Sequence, residues 1–154
     1  MNTPTATVAQ VSPDTPEAAA LIAAAEAELA LNYPPEHRHG LAVDALIAQN
    51  ARFFVISHED EPAGCGGYVV FAPGHAELKR MFVARPHRGH GLSREILHAI
   101  ETAAAAEGIT RMFLETGTLQ SEALALYLSA GYHVRGPFGA YAESPVSVFM
   151  EKPL

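Results

Sequence analysis

A chain of 154 residues, nearly half of them hydrophobic, is long enough to bury a core of its own and reads as one domain over residues 1–154. Its formal charge of -7 excludes a general binder of nucleic acid or of anionic membrane, because both demand a basic face. No apolar run reaches the roughly 18 residues that a membrane span requires, and no basic-then-apolar leader opens the chain, so a cytoplasmic protein is expected.

Ala6 to Val11 predicts a first strand, and Ser12-Pro-Asp-Thr-Pro-Glu17 reads as a helix start. Asp14 or Thr15 can cap it, and Pro16 is tolerated in a first turn. The helix runs through Leu31 with Leu21, Ile22, Ala25 and Leu29 on one face, and Tyr33-Pro-Pro-Glu36 ends it. A second, shorter helix covers Leu41 to Gln49. Arg52 to Ser57 and Ala63 to Phe71 form a hairpin around the acidic turn His58-Glu-Asp-Glu-Pro62. Cys65 lies in its second strand; as the only cysteine it has no disulfide partner, and its Ala-Gly-Cys-Gly-Gly setting suits a small packed residue better than a nucleophile. Pro73-Gly74 then turns the chain into a strand over Glu77 to Val83.

Val83-Ala-Arg-Pro-His-Arg88-Gly89-His-Gly91-Leu-Ser93-Arg94 joins that strand to a helix in which Leu92, Ile96, Leu97 and Ile100 repeat at helical spacing. Unpaired N–H groups and the positive end of the helix dipole face outward at such a turn, and two glycines let an anion approach the backbone. The acidic chain also inverts its sign here, with Lys79, Arg80, Arg85, Arg88 and Arg94 falling within sixteen positions. A phosphate is the expected guest. A P-loop would need Lys after its glycines, and a dinucleotide fold a third glycine where Arg94 stands; neither pattern is present.

The helix continues to Glu107 and stops at Gly108, after which Arg111 to Thr116 is a strand. Ser121 starts a last helix, with Ala123, Leu124, Tyr127 and Leu128, that ends at Gly131. Tyr132 to Arg135 and Val146 to Glu151 close the chain as strands. The fold class is α/β (α+β), with a mixed, mainly antiparallel central sheet and helices on both faces.

Arg88-Gly-His-Gly-Leu-Ser93 resembles the Arg/Gln-x-x-Gly-x-Gly/Ala signature of the GNAT acetyltransferases, with Ser93 where Gly or Ala is usual. Ala123-Leu-Ala-Leu-Tyr127-Leu-Ser-Ala-Gly131-Tyr132 resembles a second motif of that family, and the order of elements agrees over almost the whole chain. The Asn that often precedes the last helix is replaced by Gln120 and Ser121. The resemblance implies an N-acetyltransferase that moves the acetyl group of acetyl-coenzyme A to a primary amine within a ternary complex. It implies that the cofactor arm pairs with the backbone near Phe82 and Val83, and that a backbone N–H among Met81, Phe82 and Val83 donates to the thioester carbonyl. The pyrophosphate would rest on Arg88, Gly89, His90, Gly91, Leu92 and Ser93, with charge from Arg88 and Arg94.

The chemistry requires a base for the ammonium and an acid for the departing thiolate. Glu77, on the strand leading to the turn, and Glu115, on the next one, are candidate bases beside ordered water; Tyr127 resembles the family's acid. The family's loop between the first two helices borders the acceptor, which makes Tyr33, Glu36 and Arg38 candidate substrate contacts, with Tyr141 on the opposite wall. Glu36 or Arg38 can select acceptor charge, and the acidic balance of the chain leans towards a cationic acceptor. Eight histidines include the spacings His37/His39 and His87/His90, but no Cys or carboxylate completes a ligand set, and no metal is expected. The acceptor is a small-molecule amine or a peptide or protein amine. The family also forms homodimers. A non-catalytic acyl-coenzyme A sensor or partner module is the alternative.

Overall fold

The computed structural model describes residues 6–154. Strand β1 (Ala6–Val11) precedes helix α1 (Pro16–Ala30), whose cap is Thr15: its hydroxyl accepts from the Ala18 amide, and Pro16 occupies the first turn. A single 3-10 turn (Pro35–His37) and the short helix α2 (Val43–Ala48) follow. The second helix is therefore shorter than its apolar pattern predicts, because Leu41 and Ala42 remain extended and Ala42 offers no capping side chain.

Strands β2 (Arg52–His58) and β3 (Glu61–Ala72) are joined by Glu59 and Asp60 alone, both in the left-handed region. A two-residue hairpin loop demands that conformation. The predicted five-residue turn thus tightens, with His58 and Glu61 paired as strand residues. Next come β4 (His75–Val83), a 3-10 turn (Arg85–His87), helix α3 (Leu92–Ala106), β5 (Arg111–Gly117), helix α4 (Ser121–Ser129), β6 (His133–Arg135) and β7 (Ser147–Pro153).

The strands form one sheet in the order β1-β2-β3-β4-β5-β7-β6, in which, among the described residues, only the β4–β5 contact is parallel. Alternate residues of each strand face opposite sides. Phe53, Val55 and Cys65 meet Ala18, Leu21 and Ile22 of α1 and Leu46 of α2. Phe54, Ile56, Tyr68, Leu78, Met112 and Leu114 meet Ile96, Leu97 and Ile100 of α3 and Tyr127 of α4. Cys65 is fully buried, and burial pushes its thiol up to about 12, which leaves it protonated and inert. Among the described residues no helix is long and apolar enough to cross a membrane.

Ile100 has no exposed surface at the centre of the α3 face. Ile100→Ala should cost about 2–5 kcal/mol of stability, read as a fall in urea midpoint at constant slope. A loss below about 1 kcal/mol would mean that the α3 face is not tightly packed.

Candidate active site

The sheet has a gap in its middle. Strands β4 and β5 pair only through His75–Glu77 against Arg111–Phe113, and then part. Beyond that point β5 keeps its ladder with β7, while β4 follows β3. The β3–β4 register shifts between Cys65 and Gly67, where Arg80 adopts a φ of 57°. Such a bulge adds one residue to β4 and bends it away from its other neighbour. The resulting cleft holds about 360 Å³, bounded by α1 and residues 37–40 on one side and by the turn before α3 and by α4 on the other.

The bulge also decides which charges enter the cleft. Leu78 faces α3, so Glu77 and Lys79 face the α1 side, and Leu114 likewise places Glu115 there. Strict alternation would send Arg80 back towards α3. With the extra residue, Arg80 instead reaches α1 and the α1–α2 connection, while Met81 packs towards α3. Tyr127, in the α3 core, closes the cleft from the other side of the sheet.

Glu77 and Lys79 are closed by their partners. Lys79 Nζ lies 2.9 Å from Glu77 Oε2 and donates to the His39 carbonyl and the Tyr141 hydroxyl, at 3.0 and 2.9 Å. Tyr141 in turn donates to Glu77 at 2.6 Å. Glu115 makes no ion pair among the described residues. Burial raises its pKa; the Ser147 hydroxyl, His39 and Lys79 work against the shift, and the Glu77 charge adds to it. Tyr127 is buried, with its ring packed edge-on to Tyr132 at 5.7 Å. Burial holds its proton on well above the usual tyrosine range.

The turn before α3 leaves a run of backbone donors free among the described residues. Gly89 and Gly91 have φ of 86° and 74°, and Gly91 caps α3 with no side-chain hydrogen bond. Among the described residues the amides of positions 89–94 donate to no backbone carbonyl, the first such bond being from Glu95 to the Gly91 carbonyl. Consecutive unpaired N–H groups around left-handed residues form a concave donor set at the positive end of a helix. His58 on β2 buttresses the turn from behind, its ring 5.5 Å from that of His87 and 4.8 Å from that of His90.

The family model for the Acetyltransferase (GNAT) family matches residues 19–132, from α1 to the residue after α4 and its glycine stop. The chain belongs to the GNAT acetyltransferases. It is 39% identical to an "IAA acetyltransferase" of Azospirillum brasilense over 98% of this chain and 99% of that protein. A crystal structure from Klebsiella pneumoniae, assigned as an acyl-CoA N-acyltransferase, superposes with a TM-score of 0.82 at 34% identity and covers 97% of each chain. A GNAT family acetyltransferase from Elizabethkingia anophelis, solved with acetyl-CoA bound, shares the fold at 17% identity, with a TM-score of 0.72 over 97% of this chain and 98% of that one.

Within this GNAT chain the residues singled out from sequence separate into groups. Glu77, Glu115, Tyr127, Met81, Phe82, Val83, Arg88, Gly89, Gly91, Leu92, Ser93, Tyr33 and Arg38 line the cleft. Tyr33 is buried there, its hydroxyl accepting from the Leu119 amide at 2.9 Å. His90, Arg94, Glu36 and Tyr141 do not line it. His90 stacks on His58, Arg94 donates to Ser129 at 2.8 Å, and Glu36 is exposed on the 3-10 turn. Tyr141 is bonded to Glu77 and Lys79.

Most of the clustered positive charge is paired with carboxylates. Lys79 pairs with Glu77 and Arg80 with Glu26, each at 2.9 Å. Arg88 holds Glu28 through two contacts of 3.0 and 2.9 Å and donates to the Val83 carbonyl at 2.8 Å. Helix α1 supplies two of these three carboxylates. Glu26 and Glu28 sit in an alanine-rich helix without motif character, and nothing local in the sequence marks them as partners of the turn.

Proposed function

We propose that this chain transfers the acetyl group of acetyl-coenzyme A directly to a primary amine, with Glu115 as general base and Tyr127 as general acid. The observation that carries this reading is the placement of those two groups on opposite faces of the β4–β5 gap. A thioester lying in the gap meets the amine from the α1 side and loses its thiolate towards α4. Neither proton has to cross the reacting carbon.

An amine with a pKa near 10.4 is free base at only about one part in a thousand at neutral pH, a shortage equivalent to about 4 kcal/mol of barrier. Glu115, its proton affinity raised by burial, takes that proton before attack. Glu115 hands that proton to solvent, the amine nitrogen bonds to the acetyl carbon, the carbon–sulfur bond breaks, and the second nitrogen proton passes to Glu115 as the amide forms. Tyr127 gives its proton to the thiolate and regains one from solvent after release. A backbone N–H among Met81 to Val83 donates to the carbonyl oxygen as charge gathers there. Glu77, held by Lys79 and Tyr141, keeps this wall rigid and adds negative charge beside Glu115. The amides of residues 89–94 carry the pyrophosphate, and Arg88 braces their turn against α1.

Thiol release from acetyl-coenzyme A, followed against a panel of amines and peptides, tests the reaction. Turnover with at least one acceptor is expected, whereas tight cofactor binding without turnover on any would make the chain a binding module instead. Gly91→Val tests the phosphate placement. A Cβ at Gly91 meets no atom of the chain within 4 Å, so it projects into the space that the phosphate would use. A β-branched residue is also strained at that φ. Affinity for coenzyme A should fall by about tenfold or more, equivalent to at least about 1.4 kcal/mol, as measured by calorimetry. An unchanged dissociation constant would move the pyrophosphate elsewhere.

A further inference from the structure

The acceptor end of the cleft contains one guanidinium more than its carboxylates can pair. Arg38 and Arg80 share Glu26: Arg38 Nε lies 3.3 Å from one carboxylate oxygen and Arg80 Nη2 2.9 Å from the other. Arg80 also donates from Nε to the Leu41 carbonyl at 3.0 Å. Its Nη1 is buried and has no partner among the described residues, in a side chain only 4% exposed. Arg38 spends only Nε on Glu26, and among the described residues no acceptor is bonded to its terminal nitrogens. Both arginines line the cleft, whereas Glu26 does not.

Burying a guanidinium nitrogen without an acceptor forfeits its hydration with nothing in return. Arg80 is held there in spite of a left-handed backbone that a bulky residue rarely adopts. Gly40 is shaped to the same arrangement, since a Cβ on it would lie 2.4 Å from the guanidinium carbon of Arg80. Beside the closed set of Glu77, Lys79 and Tyr141, the cleft keeps Glu115 without an ion pair and the terminal nitrogens of Arg38 without an acceptor among the described residues, with the buried Arg80 guanidinium sharing the one Glu26.

We infer that the acceptor is an amino-acid-type zwitterion whose carboxylate docks on Arg38, drawn also by the buried charge of Arg80, while its amine faces Glu115. The inference rests on the amine-acetylating reading of this cleft and narrows it. It reverses the cationic acceptor suggested by the overall charge, because the residues that face the acceptor, and not the sum over the chain, select it. A planar fork of donors also matches a carboxylate better than any neutral substituent.

The full chain loaded with coenzyme A is titrated by calorimetry with L-phenylalanine, β-alanine and 4-aminobutyrate, each beside its amide, and the same six compounds are assayed for acetylation. At least one acid should bind more tightly than its amide by about tenfold or more, the order expected of one charge-assisted hydrogen bond. Arg38→Gln should bring that ratio to near one, and Arg38→Lys should restore part of it. Arg38 is partly exposed on a connecting segment, so neither variant threatens the fold. Equal binding of acid and amide, no binding of either, or a ratio that survives Arg38→Gln would overturn the inference. Acid-selective binding without transfer to any acceptor would instead keep the carboxylate subsite and remove the catalytic reading. Acetylation of amides as readily as acids would do the reverse.

Discussion

Tyr127→Phe is expected to lower turnover at saturating substrates by about 10²–10⁴-fold while leaving affinity for coenzyme A within about twofold. The substitution removes one hydroxyl and keeps the ring that packs on Tyr132 and the α3 core. No hydrogen bond to that hydroxyl exists among the described residues that would be left broken, so the fold has little reason to respond. Burial keeps the phenol protonated throughout the working range, which suits a group that must hold its proton until a thiolate appears. The loss should therefore fall on kcat and not on KM. Stopped-flow or steady-state rates equal to those of the parent would remove Tyr127 from the chemistry and leave the thiolate to be protonated by water.

Glu115→Gln should cost a comparable factor, about 10²–10⁴-fold, with a signature in pH that a structural role would not produce. Burial raises the Glu115 pKa, so the acidic limb of kcat/KM belongs at a higher pH than an ordinary carboxylate would give. Activity rises with pH through that limb as the base is uncovered, and in Glu115→Gln this limb disappears. Stability has the opposite sign. A carboxylate whose folded pKa is raised favours the folded state most below its unfolded value, and that contribution is lost as pH rises through the folded one. The variant should thus melt higher than the parent at neutral pH, with the difference shrinking in acid. A limb that persists in Glu115→Gln would transfer the base role to Glu77 or to ordered water.

Most of the element order was legible because its signals are local. The Thr15 cap, the Gly108 stop and the two periodicities each act over a few residues, and the observed boundaries depart from expectation mainly at ends. The departures have local causes as well: the hairpin closes on two residues because Glu59 and Asp60 accept positive φ, and α2 starts late for want of a cap. The bulge at Arg80 left no such trace. Its Lys-Arg-Met sequence carries no glycine or proline to announce it, although it reverses the side of the sheet on which Arg80 stands.

The sequence by itself determined the α/β layout, the amide-lined turn at Gly89 to Gly91 and the family to which both belong. A glycine turn at a helix start presents its N–H groups whatever else surrounds it, so those residues suffice. Only the tertiary structure decided which charges remain open. Arg88 meets Glu28 across sixty positions, Tyr141 meets Glu77 across sixty-four, and Arg38 and Arg80 converge on one Glu26. Charge pairing depends on which side chains the sheet register and one bulge bring within about 4 Å, a long-range outcome to which neither composition nor local spacing is sensitive.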